Sequence, residues 1–149
     1  MKTFEKKVMR YIFSNRIKTN MIFVGYINGL EYFGNSYFFG RLADNFFDKK
    51  KFKEVNLSRI VKNYMINPED EKLINPNYNI TKGDNRLVLA NFKISYDNDN
   101  RVSTEVSCDY HYFKLFEKDV FYILDTKGMI CLYDENKSLI GVIAKVVNH

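Results

Sequence analysis

Residues 110–147 read YHYFKLFEKDVFYILDTKGMICLYDENKSLIGVIAKVV, and this stretch decides the architecture. Tyr112, Phe113 and Phe116 are spaced as one helical face requires, so 110–118 predicts a short helix. Three apolar runs follow, at 120–124, 129–133 and 139–147. They are separated by Asp125-Thr126-Lys127-Gly128 and Asp134-Glu135-Asn136-Lys137-Ser138, which is turn chemistry, so the stretch predicts helix, strand, turn, strand, turn, strand.

Working outward, the N-terminal third has the same order. Phe4, Val8, Tyr11 and Ile12 define the apolar face of an amphipathic helix over about residues 3–16, with Lys6, Lys7 and Arg10 mostly on its other side. A β-rich run from Met21 reaches Asn28-Gly29, a strong signal for a tight hairpin, and Gly34-Asn35-Ser36 turns the chain again before 37–42. The expected fold is therefore α+β: antiparallel β-meanders with two amphipathic helices. One domain over 1–149 is expected, with pseudo-repeats at 1–64 and 86–149 joined by a polar connection at 65–85, the mark of an internal duplication. Between the repeats, Asn56 precedes a short helix from Leu57, and Asn67-Pro68-Glu69-Asp70-Glu71 has a capped helix start. Residues 86–96 alternate as a strand with one slip of phase, read as a bulge, and Asp97-Asn98-Asp99-Asn100 turns it back into 102–108.

With 149 residues, 46% hydrophobic and 28% charged, the chain is long enough to bury a substantial core and is not disordered by composition. Aromatics reach 16%, all Tyr and Phe, as a β-rich core favours. No apolar run approaches the ~18 residues of a membrane span, and the expected location is the cytoplasm, with Cys108 and Cys131 reduced. The net charge of +5 is uneven. Residues 1–60 carry twelve Lys or Arg and five Asp or Glu, giving +7; residues 61–149 carry eleven and thirteen, giving −2. Such a basic first half favours an anionic partner.

Catalytic signatures are missing: there is no Walker A loop, dinucleotide fingerprint, nucleophile elbow or His-Glu-x-x-His helix. Cys108 and His111 lack the further ligands of a structural zinc site, and Asp97-x-Asp99 lacks the Gly and Glu of a calcium loop. Asp109, Glu117, Asp119, Asp134 and Glu135 all fall at predicted turns or helix ends, where solvated carboxylates are ordinary. A non-enzymatic protein without cofactor or metal is expected.

The residues left with functional content are cations and aromatics. Lys6, Lys7, Arg10, Lys49, Lys50, Lys51, His111, Lys114 and Lys118 are the candidates for nucleic acid or another anionic partner. Tyr32, Tyr37, Phe38, Phe46 and Phe47 are the candidate anchors of a protein interface. The repeated helix-plus-meander with basic helix faces, with phrases such as Tyr26-Ile27-Asn28-Gly29-Leu30-Glu31 and Ser138-Leu139-Ile140-Gly141-Val142-Ile143, resembles one domain of the DNA polymerase sliding-clamp family. That resemblance implies duplicated units whose basic helices face duplex DNA. In size and composition the chain also resembles small phage-encoded proteins, including anti-CRISPR inhibitors. The expected function is therefore inhibition or modulation of host defence or nucleic-acid-handling machinery by contact with a host or phage protein, with clamp-like DNA or RNA binding as the alternative.

Overall fold

The computed structural model describes residues 5–7, 10, 22–27, 29–42, 53–57, 73–83, 87–95, 103–126 and 128–146. Ten strands dominate them: β1 (Phe23–Ile27), β2 (Leu30–Gly34), β3 (Phe38–Arg41), β4 (Lys53–Val55), β5 (Tyr78–Lys82), β6 (Val88–Ser95), β7 (Ser103–Asp109), β8 (Tyr122–Asp125), β9 (Met129–Tyr133) and β10 (Leu139–Ala144). The described residues are thus β-rich and poor in helix. The helix expected over 110–118 is one turn, Tyr110–Phe113, followed by a 3-10 turn at Glu117–Asp119. Tyr, His and Phe are mediocre helix formers, and opening the turn lets Phe113, Leu115, Phe116 and Val120 all reach the core. Of the expected N-terminal helix, Glu5, Lys6, Lys7 and Arg10 are helical, as is Leu57 after Asn56. The capped start at Asn67 lies outside the described residues.

Both meanders form, and their turns use the chemistry expected. Ile27 lies opposite Leu30 with Gly29 at φ 79°. Asn35 Oδ1 accepts from Tyr37 N at 2.8 Å and Phe38 N at 3.1 Å, and Asp134 Oδ1 accepts from Asn136 N and Ser138 N, each at 2.9 Å. The meanders are then joined through their last strands. The large sheet runs β4-β1-β2-β3-β10-β9-β8, with only the β1–β4 pair parallel. One transverse row crosses six of its strands: Val24, Phe33, Gly40, Gly141, Leu132 and Ile123. The two glycines face each other at the junction. A Cβ on Gly141 would stand 2.5 Å from the Phe116 ring, so the bare backbone is what seats Phe116 on the sheet.

Central strands are buried on both faces, which explains their unbroken apolar runs. On one face Val24, Phe33, Phe38, Ile130, Leu132 and Ile143 pack with Phe113, Phe116 and the small sheet's Ala90, Phe92 and Cys108. On the other, Ile27, Tyr32, Phe39, Cys131, Tyr133 and Val142 pack with Leu57, which also fills the space beside Gly25.

The small sheet, β5-β6-β7, corrects two expectations. Residues 78–82, read as part of a polar connection, are its edge strand; β6 is buried deeply enough to hold a polar strand against it. The phase slip in β6 is no bulge, because the strand keeps one register with both neighbours. The slip arises because β6 buries both faces: Ala90, Phe92 and Ile94 on one, Leu89 and Asn91 on the other. Asn91 is satisfied across the sheet, donating to Asn79 Oδ1 (3.0 Å) and Thr81 Oγ1 (2.9 Å) and accepting from Ser107 Oγ (2.6 Å). The register shift belongs instead to β10, between Leu139 and Gly141. No helix among the described residues is long and apolar enough to cross a membrane.

Gly141→Ala should destabilise the protein by about 1–3 kcal/mol through overpacking against Phe116. Urea denaturation checks this, and Phe116→Leu should restore part of the loss in the Ala background while costing stability alone.

Candidate binding surface

The surface is built on the segment following β7. Asp109 caps the one-turn helix, accepting from His111 N at 2.8 Å, and successive turns are closed by Lys114 N to Tyr110 O (2.9 Å) and Phe116 N to Phe113 O (2.9 Å). With Phe113, Leu115 and Phe116 directed into the core, the intervening polar residues are left at the surface: His111 and Lys118 are exposed and Lys114 is half-buried.

Lys7 reaches this segment from the N-terminal helical residues, its Nζ donating to the Lys114 carbonyl. Desolvation lowers the Lys7 pKa; Glu117 opposes this, while Lys118 and Lys114 add to it. Lys7, Lys114 and Lys118 therefore share one electrostatic neighbourhood, although Lys7 stands more than a hundred residues from the other two in the chain. Lys6 and Arg10 are exposed and one helical turn apart. The patch is of mixed sign, since Glu117 and Asp119 sit among the cations. Glu117 is also a structural clamp: Oε1 accepts from the Tyr78 hydroxyl and Oε2 from the Tyr110 hydroxyl at 3.2 Å, tying β5 to the helix. Burial and Glu117 push both phenols upward.

Tyr37 is the one anchor candidate that the described residues leave exposed, at 58%. The Asn35 turn holds its backbone, and its ring stacks on Tyr112, centroids 6.3 Å apart and planes 11° from parallel. It borders a cavity of about 230 Å³ lined also by Phe23, Phe39, Met129, Val142 and Ala144. The aromatic and basic groups thus meet at one short helix, because Tyr112 lies between His111 and Lys114.

Two other anchor candidates are corrected. Tyr32 and Phe38 are each only 2% exposed, because β2 and β3 lie inside the sheet and present both their faces to packed layers. Phe46, Phe47, Lys49, Lys50 and Lys51 lie outside the described residues. The contributions of Tyr112, Tyr78 and Tyr110 were not read from sequence; helical spacing placed Tyr112 on the buried face, and nothing local links Tyr78 to Glu117.

The thiols are packing groups. Cys108 and Cys131 are fully buried in different apolar clusters, and burial pushes each up to about 12. Among the described residues no set of His, Cys, Asp or Glu is arranged to hold a metal ion. Burial likewise pushes the Tyr32 phenol up to about 12, with Arg41 opposing. Well below pH 9 these groups are protonated in both folded and unfolded chains. Above the unfolded values, near 9 for the thiols and 10 for Tyr32, the unfolded chain loses protons that the folded chain keeps, so stability falls as pH rises to 12. Tyr32 alone should account for roughly 2–3 kcal/mol of this loss. Urea titrations at intervals from pH 8 to 12 check it, and Tyr32→Phe should flatten the upper part of the profile.

Comparison with known proteins finds no family model that matches this chain, no matching curated protein and no matching solved structure.

Proposed function

We propose that this chain is a non-enzymatic binding protein of phage or mobile-element type, which modulates host-defence or nucleic-acid-handling machinery by protein–protein contact in the cytoplasm. The observation that carries the reading is Tyr37: an exposed ring, 58% accessible, immobilised by its turn and its stack on Tyr112, at the rim of an apolar cavity of about 230 Å³. A pre-ordered Tyr beside a pocket of side-chain size gives large contact area at little entropic cost, the common composition of an interface hot spot. The exposed His111, the chain neighbour of the Tyr112 ring on which Tyr37 stacks, suits an acidic rim on the partner.

The alternative, direct DNA or RNA binding by a clamp-like accessory protein, draws on a different observation: Lys7 lies with Lys114 and Lys118, and Lys6 and Arg10 extend the same positive neighbourhood. Within this alternative the two meanders, which meet last strand to last strand at Gly40 and Gly141, would be the duplicated units.

Affinity purification of the tagged protein from phage-infected and uninfected bacterial lysates, with and without nuclease and at low and high salt, separates the two. The expected result is a stoichiometric protein partner that survives nuclease and whose capture falls at least about tenfold with Tyr37→Ala, the loss of ~1.4 kcal/mol or more. Equal capture by Tyr37→Ala, or no reproducible partner, overturns the leading reading. Recovery of nucleic acid alone, lost as salt rises and weakened by replacing Lys6, Arg10 and Lys118 with Ala, would establish the alternative, whereas binding insensitive to salt removes it.

A further inference from the structure

β5 is the outer strand of the small sheet, with the sequence Tyr78-Asn79-Ile80-Thr81-Lys82. The opposite edge of that sheet is closed, because Val146 N donates to Ser107 O and Lys145 bridges Cys108. Among the described residues the β5 edge is open. Gly83 N donates to Leu87 O at 2.6 Å in the same register as the β5–β6 ladder. Alternation along an antiparallel strand then turns the backbone groups of Asn79 and Thr81 toward β6 and those of Tyr78, Ile80 and Lys82 outward. Among the described residues these outward N–H and C=O groups have no partner. Four of the five residues are exposed, and Ile80 stands 50% accessible. Edges of this kind are ordinarily blunted by proline, lysine, a bulge or inward charge; β5 has no proline and no register break, and its one lysine, Lys82, stands at the end of the strand.

We propose that β5 is a dimerisation strand, pairing antiparallel with β5 of a second copy about a two-fold axis at Ile80 and joining two three-stranded sheets into one of six. Self-complementarity selects a second copy as the occupant. In this register Ile80 meets Ile80 of the copy, Tyr78 meets Lys82, and Asn79 meets Thr81, so every cross-strand row is matched and no cation faces a cation. The outward backbone groups fall at hydrogen-bonded positions on both strands. Tyr78, Ile80 and Lys82 share the face of Phe92 and Ala90, so Lys82 of the copy lies along the Tyr78 ring toward Glu117, the carboxylate that already binds the Tyr78 hydroxyl. A five-residue edge buries less than the ~1,200 Å² of a standard interface, the size class of weak, transient contacts, so the dimer is expected to form only at high concentration.

Sedimentation equilibrium from about 1 µM to about 1 mM tests this with the wild type, Ile80→Pro and Ile80→Lys. Because the Ile80 N–H points away from β6, proline there removes no bond within the chain, while it blocks the edge. The expected result is a concentration-dependent dimer for the wild type and a monomer for both variants, with circular dichroism and thermal unfolding unchanged. A wild type that stays monomeric at the highest concentration, or a dimer that persists in the variants, overturns the proposal. Should Ile80→Pro fail to fold, Ile80→Lys and an Ile80→Cys cross-link carry the test. The native thiols are buried and do not compete, so failure of oxidised Ile80→Cys to form a covalent dimer also overturns it.

Discussion

The antiparallel pairing of β3 with β10 is the constraint on which the rest of the molecule depends. Gly40 opposite Gly141 brings two separate meanders into one sheet and leaves a flat place at the seam. Phe116 occupies that place, and through Phe116 the whole 110–120 segment is fixed against the sheet. From there the dependence runs outward. Phe113 packs edge-on against Phe92 and Tyr78, so the small sheet is positioned by the same segment. The tail of β10 then closes the β7 edge, with Lys145 also paired to Asp125 at 2.7 Å.

Charged and aromatic features of the surface follow from this core rather than from local sequence. With Phe113, Leu115 and Phe116 consumed by packing, His111, Lys114 and Lys118 have nowhere to go but outward, and the Lys114 carbonyl at the end of the turn is where Lys7 docks. Phe38 packs inward against Tyr112, with ring centroids 4.6 Å apart, and its neighbour Tyr37 is carried out to the same ring. One aromatic side chain of the short helix thus serves the core and the surface at once. Glu117 has a comparable double role, since its carboxylate joins two phenols from different elements while tempering the positive patch around it.

Burial on both faces of the large sheet explains why exposed anchors were hard to pick from sequence. In a sheet with one wet face, Tyr32 and Phe38 would belong to opposite environments; here both are interior, because a second apolar cluster that includes Leu57 covers the far side. Asn91 and Ser107 show the same effect in reverse. Polar residues in a strand read as solvent-facing, yet these are buried and satisfied, Asn91 by donating to Asn79 and Thr81 and Ser107 by donating to Asn91.

The sequence by itself determined the strands of both meanders and the turns that separate them, because Asn35 and Asp134 bond backbone groups within four residues of themselves and Gly29 and Gly128 supply positive φ locally. It also carried the positive bias of the first half and the identity of the cations that gather at the short helix. Only the tertiary structure decided that β3 pairs with β10, that residues 78–82 form an open edge strand, that the second helix shrinks to one turn, and that Lys7 meets Lys114. Each of these rests on contacts between residues distant in the chain. Their energies come from burial of shared apolar surface and from register across strands, and no local pattern of residue types encodes which distant surface will be shared.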